Sequence, residues 1–181
     1  MDLSVSSSYK LLHPMHTVLV SCIDGDGAPN IITLAWAMPT SIQPPLVAIS
    51  IAPRRYSYDL IKETEEFVVN IPTMELLKET LYCGRKSGRS HDKFKETGLT
   101  SMPAKKVKPP IIQECIAHLE CKLHGQFKTG DHTIFVGKVI KAYANKGVFA
   151  DKYDPGKAKM IYHLGGDSFA TLNPKVLTPK L

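Results

Sequence analysis

Short runs of β-branched and apolar residues, separated by turn-forming residues, recur along most of this chain. Residues 17–23 (TVLVSCI) lead into 24–27 (DGDG), whose glycines allow the positive φ angles of a tight hairpin turn. Similar runs, each typical of a β-strand, occur at 30–38, 46–52, 66–71, 115–124, 133–143 and 160–163. Mostly short connections, without alternating strand and helix units, favour an antiparallel barrel over a doubly wound parallel sheet.

Two short helices fit the sequence between these strands. The first begins near Ser57, and the second is capped by Thr73 and ends at Gly84, because glycine accepts the left-handed conformation of a helix end. Residues 85–108 lack periodicity and are predicted as a long surface loop, with one helical turn around Lys93.

The chain has 181 residues, 43% of them apolar, which suits a single domain over 1–181 with a substantial core. Lys and Arg number 23 against 17 Asp and Glu, and the formal net charge of +6 favours an anionic ligand such as a phosphate-bearing small molecule. No run approaches the roughly 18 apolar residues of a membrane span, and the first residues lack the features of a signal peptide. Four cysteines without a CxxC pair indicate reduced thiols, so we expect a cytoplasmic protein with no membrane partner.

Arg54, Arg55 and Ser57 stand together where the first predicted helix begins. Two cations and a hydroxyl beside the free amides of a helix start are suited to binding a phosphate by charge and hydrogen bonds. A simpler interpretation is that the arginines are solvated and Ser57 only caps the helix. This segment alone leaves both interpretations open.

A second basic segment, residues 84–93 (GRKSGRSHDK), contains four Lys or Arg and two glycines that permit close approach to a ligand. It does not match the P-loop pattern, because no Gly-Lys-Ser/Thr triplet follows the first glycine at the required spacing. The segment is therefore either an anion-binding loop or a mobile charged loop.

The histidines and cysteines of residues 115–124 do not predict a metal centre. Alternation places Cys115 and Cys121 on the apolar face of a strand and His118 on the other face, so the three cannot share one ion. We predict that His118 and His124 are a solvated pair on the polar face. The sequence also lacks a GxSxG motif and the stripe of exposed aromatic residues typical of nucleic-acid-binding barrels, so we expect no nucleic-acid partner.

Four segments that together span most of the chain have a recognisable order and spacing: NIITLAWAMPTSIQPPLVAISI (30–51), RRYSYDLIKETEEFVVNIP (54–72), GRKSGRSHDKF (84–94) and GDHTIFVGKV (130–139). Together they resemble the flavin reductase-like family of FMN-binding split barrels. The tryptophan of the first segment and the Asp-Lys-Phe of the third are most similar to its flavoredoxin and archaeal ferric reductase branch. The resemblance implies a mainly β, antiparallel Greek-key split β-barrel with a few short helices, and a homodimer that binds FMN near the subunit interface.

The resemblance also implies which residues bind the cofactor. Arg54, Arg55 and Ser57 are expected to hold the FMN phosphate, with added charge from Lys93. The flavin is expected to be lined, through backbone groups and aromatic contact, by Asn30, Thr33, Leu34, Ala35 and Trp36, with Ser50 and Ile51 completing the pocket for the ring.

His132 is the predicted catalytic residue. It ends the tripeptide Gly130-Asp131-His132, which resembles a Gly-Asp-His motif that lies near the flavin and the nicotinamide in flavin reductases. As a plain hairpin turn the tripeptide needs no function. The resemblance instead implies that His132 contacts the flavin or the incoming reductant.

The implied activity is that of an NAD(P)H-dependent flavin or ferric reductase, in which electrons pass through bound FMN to free flavin, a ferric chelate or a protein acceptor. One alternative is a flavoredoxin-like FMN electron carrier without NAD(P)H activity, and a more distant one is the pyridoxamine phosphate oxidase-like branch of split barrels. We assign no metal ligands. His91 and His132 would be candidates for transient contact with iron by location alone.

Overall fold

The computed structural model describes residues 2–179, and most of its regular structure is β. The strands are Met15–His16 (β1), Val18–Ile23 (β2), Pro29–Leu34 (β3), Ala37–Ser41 (β4), Leu46–Ile51 (β5), Glu66–Ile71 (β6), Ser101–Met102 (β7), Ile111–Ile112 (β8), Ala117–Thr129 (β9), His132–Ala144 (β10), Tyr162–Gly165 (β11) and Ser168–Ala170 (β12). The helices are Tyr56–Thr64 (α1), Leu77–Arg85 (α2) and Lys93–Thr97 (α3), with 3-10 helices at Val5–Leu12 and Met74–Leu76. The predicted mainly β architecture with a few short helices is confirmed. Between residues 2 and 179 no helix is long and apolar enough to cross a bilayer.

Seven strands form one antiparallel sheet in the order β3-β2-β6-β9-β10-β5-β4. Its two edge strands, β3 and β4, are consecutive in the chain and are separated only by Ala35 and Trp36. The sheet must therefore curl until these edges approach each other, and the result is a barrel that stays open between β3 and β4. A smaller sheet has the order β1-β11-β12.

The segment 30–38, predicted as one strand, is interrupted. β3 ends at Leu34 and pairs with β2, whereas β4 begins at Ala37 and pairs with β5. Ala35 and Trp36 lie between the two strands, and the Trp36 carbonyl accepts a hydrogen bond from the Ser50 amide at 3.0 Å. Apolar residues continue through the interruption, so the sequence pattern does not reveal it.

The second predicted helix has a different course from the expected one. A 3-10 turn follows Thr73, α2 comes after it, and Gly84 lies within the last turn of α2 instead of ending the helix. A Cβ atom at Gly84 would lie 3.3 Å from Cβ of Thr33 in β3. The glycine therefore allows α2 to pack closely against β3.

Residues 85–108, predicted as a surface loop with one helical turn, contain more structure. The predicted turn is α3, which begins at Lys93 after the side chain of Asp92 accepts a hydrogen bond from the Lys95 amide at 3.1 Å. The short strand β7 follows and pairs with β8.

The prediction that His118 is solvated is wrong. Its side chain is buried on the outer face of the sheet, and its Nδ1 lies 2.8 Å from Oδ1 of Asn70. Because an amide oxygen can only accept a hydrogen bond, Nδ1 is the protonated nitrogen and donates this bond. The same Asn70 oxygen accepts the Ile112 amide at 3.1 Å. His124, the other member of the predicted pair, is exposed.

Glu120 is also buried on this face, without a cationic partner in the structure between residues 2 and 179. Its carboxylate accepts the backbone amides of Lys105 at 2.9 Å and Lys106 at 2.6 Å, and the hydroxyl of Tyr143 at 3.0 Å. These bonds hold the segment before β8 over the outer face of β9, which explains why polar side chains alternate there without reaching solvent.

Replacing His118 with Gln is expected to remove a pH-dependent part of the stability. Burial lowers the pKa of His118 to about 4 from its ordinary value of 6.5. The unfolded chain therefore takes up this proton first as the pH falls, and stability is lost between pH 6.5 and pH 4. Over this interval the free energy of unfolding of the wild type should fall by about 3 kcal/mol more than that of His118→Gln, measured by urea denaturation.

His124→Gln is the matched control, because it removes an exposed histidine from the same strand and should keep the wild-type pH dependence. Parallel pH profiles for the wild type and His118→Gln would show that the prediction is wrong.

Candidate cofactor site

All twelve predicted site residues line two adjoining cavities beside β3, α1 and α2. The smaller, which we call the anion cavity, measures about 120 Å³ and is lined by Asn30, Arg54, Arg55, Ser57 and Lys93 among others. The larger, which we call the aromatic cavity, measures about 250 Å³ and is lined by Thr33, Leu34, Ala35, Trp36, Ser50, Ile51, Arg55 and His132 among others. The two cavities share Ile32, Arg55 and Gly84.

Lys93 is the most deeply buried cation of the anion cavity. Its side chain is 4% exposed, and its Nζ donates to the carbonyls of Ile31 at 2.6 Å and Cys83 at 2.9 Å. Between residues 2 and 179 no carboxylate lies within 4.0 Å of this ammonium. Burial lowers the pKa of Lys93, and the nearby charge of Arg55 adds to the lowering. The cavity therefore holds a buried positive charge that lacks a protein anion.

Ser57 lies in the first turn of α1 and is 2% exposed. Its Oγ accepts a hydrogen bond of 2.7 Å from Nδ2 of Asn30, which is itself 4% exposed. The Ser57 hydroxyl proton is therefore available for an acceptor in the cavity. The sequence resemblance placed Asn30 beside the flavin, whereas the structure places it with the anion-cavity residues.

The two arginines before α1 differ from their neighbour Arg89. In the structure between residues 2 and 179 the guanidinium groups of Arg54 and Arg55 make no salt bridge, whereas Arg89 binds Asp59 at 2.5 Å. Asp59, the one acidic residue in the first turn of α1, is thus paired outside the cavity. The charge at this helix start stays positive.

Gly88 closes one end of the anion cavity. A Cβ atom there would overlap Oδ1 of Asn30 and lie 3.0 Å from the ring of Tyr56. No hydrogen-bond partner for that buried Asn30 oxygen occurs within residues 2–179. The backbone of the basic loop can pack onto the Asn30 amide only because residue 88 has no side chain.

The aromatic cavity is walled by Trp36 and His132, whose ring centroids are 4.8 Å apart at an interplanar angle of 40°. His132 begins β10, and its Nδ1 lies 2.7 Å from the carboxylate of Asp131. This hydrogen bond lowers the pKa of Asp131. When Asp131 holds Nδ1–H, Nε2 of His132 is the nitrogen that remains for a ligand.

Among the lining residues of the aromatic cavity that the sequence does not predict, Tyr9, His13 and His163 carry aromatic rings. Tyr9 contacts Trp36 edge to face at 5.9 Å, and the rings of His13 and His163 are 5.1 Å apart. They come from a 3-10 helix, from the segment before β1 and from β11. Only the pairing of β1 with β11 brings the last two together, and no local sequence pattern indicates that pairing.

The four cysteines are free and buried. Cys22 lies beside Asn30 and Cys83 lines the anion cavity. Burial raises the pKa of both thiols to about 11, so both are protonated and unreactive at neutral pH. Over residues 2–179 no three His, Cys, Asp or Glu side chains are arranged to hold a metal ion.

Comparison with known proteins identifies the family. Residues 11–166 match the flavin reductase like domain. This chain belongs to the flavin reductase-like family. An uncharacterized protein of Archaeoglobus fulgidus is 37% identical over 176 residues, 97% of this chain and 98% of that protein. A flavin reductase of Pseudomonas putida is 29% identical over 127 residues, 70% of this chain and 71% of that protein.

Among solved structures, the flavoredoxin of Desulfovibrio vulgaris (Miyazaki F) superimposes on this flavin reductase-like protein with a TM-score of 0.87. The identity is 28%, and the match covers 98% of this chain and 97% of that chain. The family resemblance and the split-barrel fold predicted from the sequence are both confirmed.

The residues present fit FMN. The anion cavity offers a buried ammonium without a carboxylate and a buried serine hydroxyl, which suit a phosphate group. The adjoining aromatic cavity offers indole and imidazole rings, which suit a planar heterocycle. Because the two cavities share Arg55 and Gly84, one ligand can occupy both.

Gly88→Ala is expected to weaken FMN binding about tenfold, because the new Cβ would push the Asn30 amide out of its hydrogen bond with Ser57. Fluorescence titration with FMN measures the change.

Gly125→Ala is the control, because its Cβ would make only an ordinary contact of 3.6 Å with the side chain of Phe127. Equal FMN affinity in the two folded variants would show that the Gly88–Asn30 contact does not contribute to FMN binding.

Proposed function

We propose that this flavin reductase-like protein binds FMN and passes electrons from NAD(P)H through it to an acceptor, which is free flavin, a ferric chelate or a protein. The observation that carries the proposal is the buried Lys93 ammonium, which has no carboxylate within 4.0 Å among residues 2–179. The cavity that it lines adjoins the one walled by Trp36 and His132. FMN, when bound, would supply the redox chemistry.

The chain's own residues bind and orient the cofactor. Lys93 and Arg55 would neutralise the charge of the phosphate group, and the Ser57 hydroxyl would donate a hydrogen bond to it. Both lysine hydrogen bonds go to backbone carbonyls of β3 and α2, so the charge is fixed in position before the cofactor arrives. The positive charge of Arg55, which lines both cavities, would also favour negative charge on a ligand in the aromatic cavity.

His132 faces the cavity beside Trp36 and is fixed by Asp131. In the proposed reaction it contacts the flavin or the nicotinamide through Nε2. Hydride transfer between stacked rings depends mainly on their distance and alignment, so the role of His132 is to orient the reactants.

A flavoredoxin-like electron carrier without NAD(P)H activity is the second candidate function. The observation that favours it is the 28% identity to the D. vulgaris flavoredoxin over nearly the whole of both chains. The two candidates share the cofactor and differ in the electron donor.

Anaerobic visible spectroscopy separates the two functions. Protein loaded with FMN is expected to lose its flavin absorption when NADH or NADPH is added, because the open barrel leaves the aromatic cavity accessible to a nicotinamide. His132→Gln should slow this bleaching about tenfold with little change in FMN affinity, since it removes an orienting contact. His124→Gln, exposed and distant in the same hairpin, should bleach at the wild-type rate.

Bleaching by dithionite but by neither nicotinamide would favour the carrier. A protein that leaves the spectrum and fluorescence of added FMN unchanged would refute both functions.

We also propose that the protein is a homodimer, as the resemblance implied. An apolar depression of about 140 Å³, lined by Met15, Trp36, Met38 and Ile134 among others, adjoins the aromatic cavity through Trp36 and Ser50. Phe127 pairs with Ile134 across β9 and β10, so both side chains lie on this face. Met38 is 59% exposed on the edge strand β4, and Phe127 is 61% exposed on β9. Such a face is suited to a second copy.

Met38→Lys is expected to convert the dimer to a monomer, because it places a charge in this apolar face. Light scattering during gel filtration should give twice the chain mass of 20.0 kDa for the wild type and a single chain mass for the variant. Met102→Lys changes another exposed methionine, which lies outside this face, and should remain dimeric. A monomeric wild type would refute the dimer.

We propose a cytoplasmic location because the four cysteines are free and buried, which suits a reducing compartment.

A further inference from the structure

A further cavity lies next to the anion cavity, on the side of Gly88, and is not needed to explain FMN binding. This outer cavity measures about 370 Å³, and its lining includes Asp24, Asn30, Tyr56, Gly88, Asp92 and Lys95. Asn30, Tyr56 and Gly88 also line the anion cavity, so these three residues form the wall between the two.

The wall is closed by direct packing. Gly88 lies so close to Asn30 that any side chain at residue 88 would overlap the amide oxygen. Tyr56 supports the same contact, and the Arg89 guanidinium covers its ring at 5.1 Å from the centroid. A phosphate in the anion cavity would therefore meet Lys93 and Ser57 on its inner side and this wall on its outer side.

The charge also changes sign across the wall. The anion cavity is lined by Lys93, Arg54 and Arg55, whereas the outer cavity is lined by the carboxylates of Asp24 and Asp92 and by one cation, Lys95. Neither carboxylate forms a salt bridge within residues 2–179.

Each carboxylate is fixed by backbone amides through only one of its oxygens. Oδ1 of Asp24 accepts the Ala28 amide at 2.8 Å, and Oδ1 of Asp92 accepts the Lys95 amide at 3.1 Å. Their charges therefore stay beside the outer cavity.

We propose that this wall and the two carboxylates make the site selective for a flavin with one terminal phosphate, so that FMN is bound in preference to FAD. The inference rests on the proposed FMN function and deepens it. A dinucleotide that extends its second phosphate past Gly88 into the outer cavity would displace the Asn30 contact and meet like charge. Riboflavin, which has no phosphate, leaves Lys93 without an anion and binds more weakly than FMN.

The single tryptophan provides a binding signal that does not depend on activity, because Trp36 lines the aromatic cavity. Titrations of the full-length protein with FMN, FAD and riboflavin, followed by quenching of its fluorescence, give three dissociation constants. FMN is expected to bind at least roughly 30-fold more tightly than FAD.

Asp24→Asn combined with Asp92→Asn removes both charges but keeps an amide oxygen at the Oδ1 positions that accept backbone amides. This double variant should bind FAD about tenfold more tightly than the wild type does, with FMN and riboflavin unchanged. Asp26→Asn combined with Asp151→Asn makes the same change in net charge at exposed positions outside the cavity. It should keep the wild-type preference.

FAD and FMN constants within threefold of each other in the wild type would overturn the selectivity and leave the FMN function standing. A strong preference for FMN that the Asp24/Asp92 variant does not reduce would overturn the role of the carboxylates. No binding of any flavin would overturn the proposed function itself.

Discussion

The ammonium group of Lys93 organises the site, because it joins three elements that are distant in the sequence. Its Nζ binds a carbonyl of β3 and a carbonyl of α2, and its own backbone begins α3. This contact holds the basic loop between α2 and α3 against the barrel, together with the ion pair that Arg89 of the loop makes with Asp59 of α1. The position of Gly88 on Asn30, and so the shape of the anion cavity, depends on that attachment.

The interruption at Ala35 and Trp36 has a comparable effect on the other cavity. It sends two consecutive strands to opposite edges of the curled sheet, so the barrel remains open where they meet. Trp36 lies outside both strands, is bound to β5 only through its carbonyl, and packs its ring against His132 of β10. The opening of the barrel and the indole ring beside it therefore come from the same two residues.

The runs of β-forming residues predict most of the large sheet, although 30–38 forms two strands, because β-periodicity is a local signal. The resemblance carried by four spaced segments implies twelve site residues, and all twelve line the two cavities. The sequence does not predict that Lys93 is buried, since the loop around it has no periodicity and the carbonyls that hold it come from β3 and α2. The prediction that His118 is solvated fails for a similar reason. Alternation correctly separates the two faces of β9, but it cannot show that a distant segment covers the polar face. Tyr9, His13 and His163 meet only through long-range pairing.

In the part of the chain that the structure describes, no carboxylate pairs with the buried Lys93 ammonium. A buried charge without a partner costs free energy, and here two neutral carbonyls offset only part of that cost. A carboxylate supplied by the protein would reduce the cost, but it would also repel a phosphate. The chain instead leaves the charge uncompensated and keeps Asp59 paired with Arg89 outside the cavity. An anion that enters then gains the interaction that the protein lacks, and it stabilises the contacts among α2, α3 and β3 as it binds.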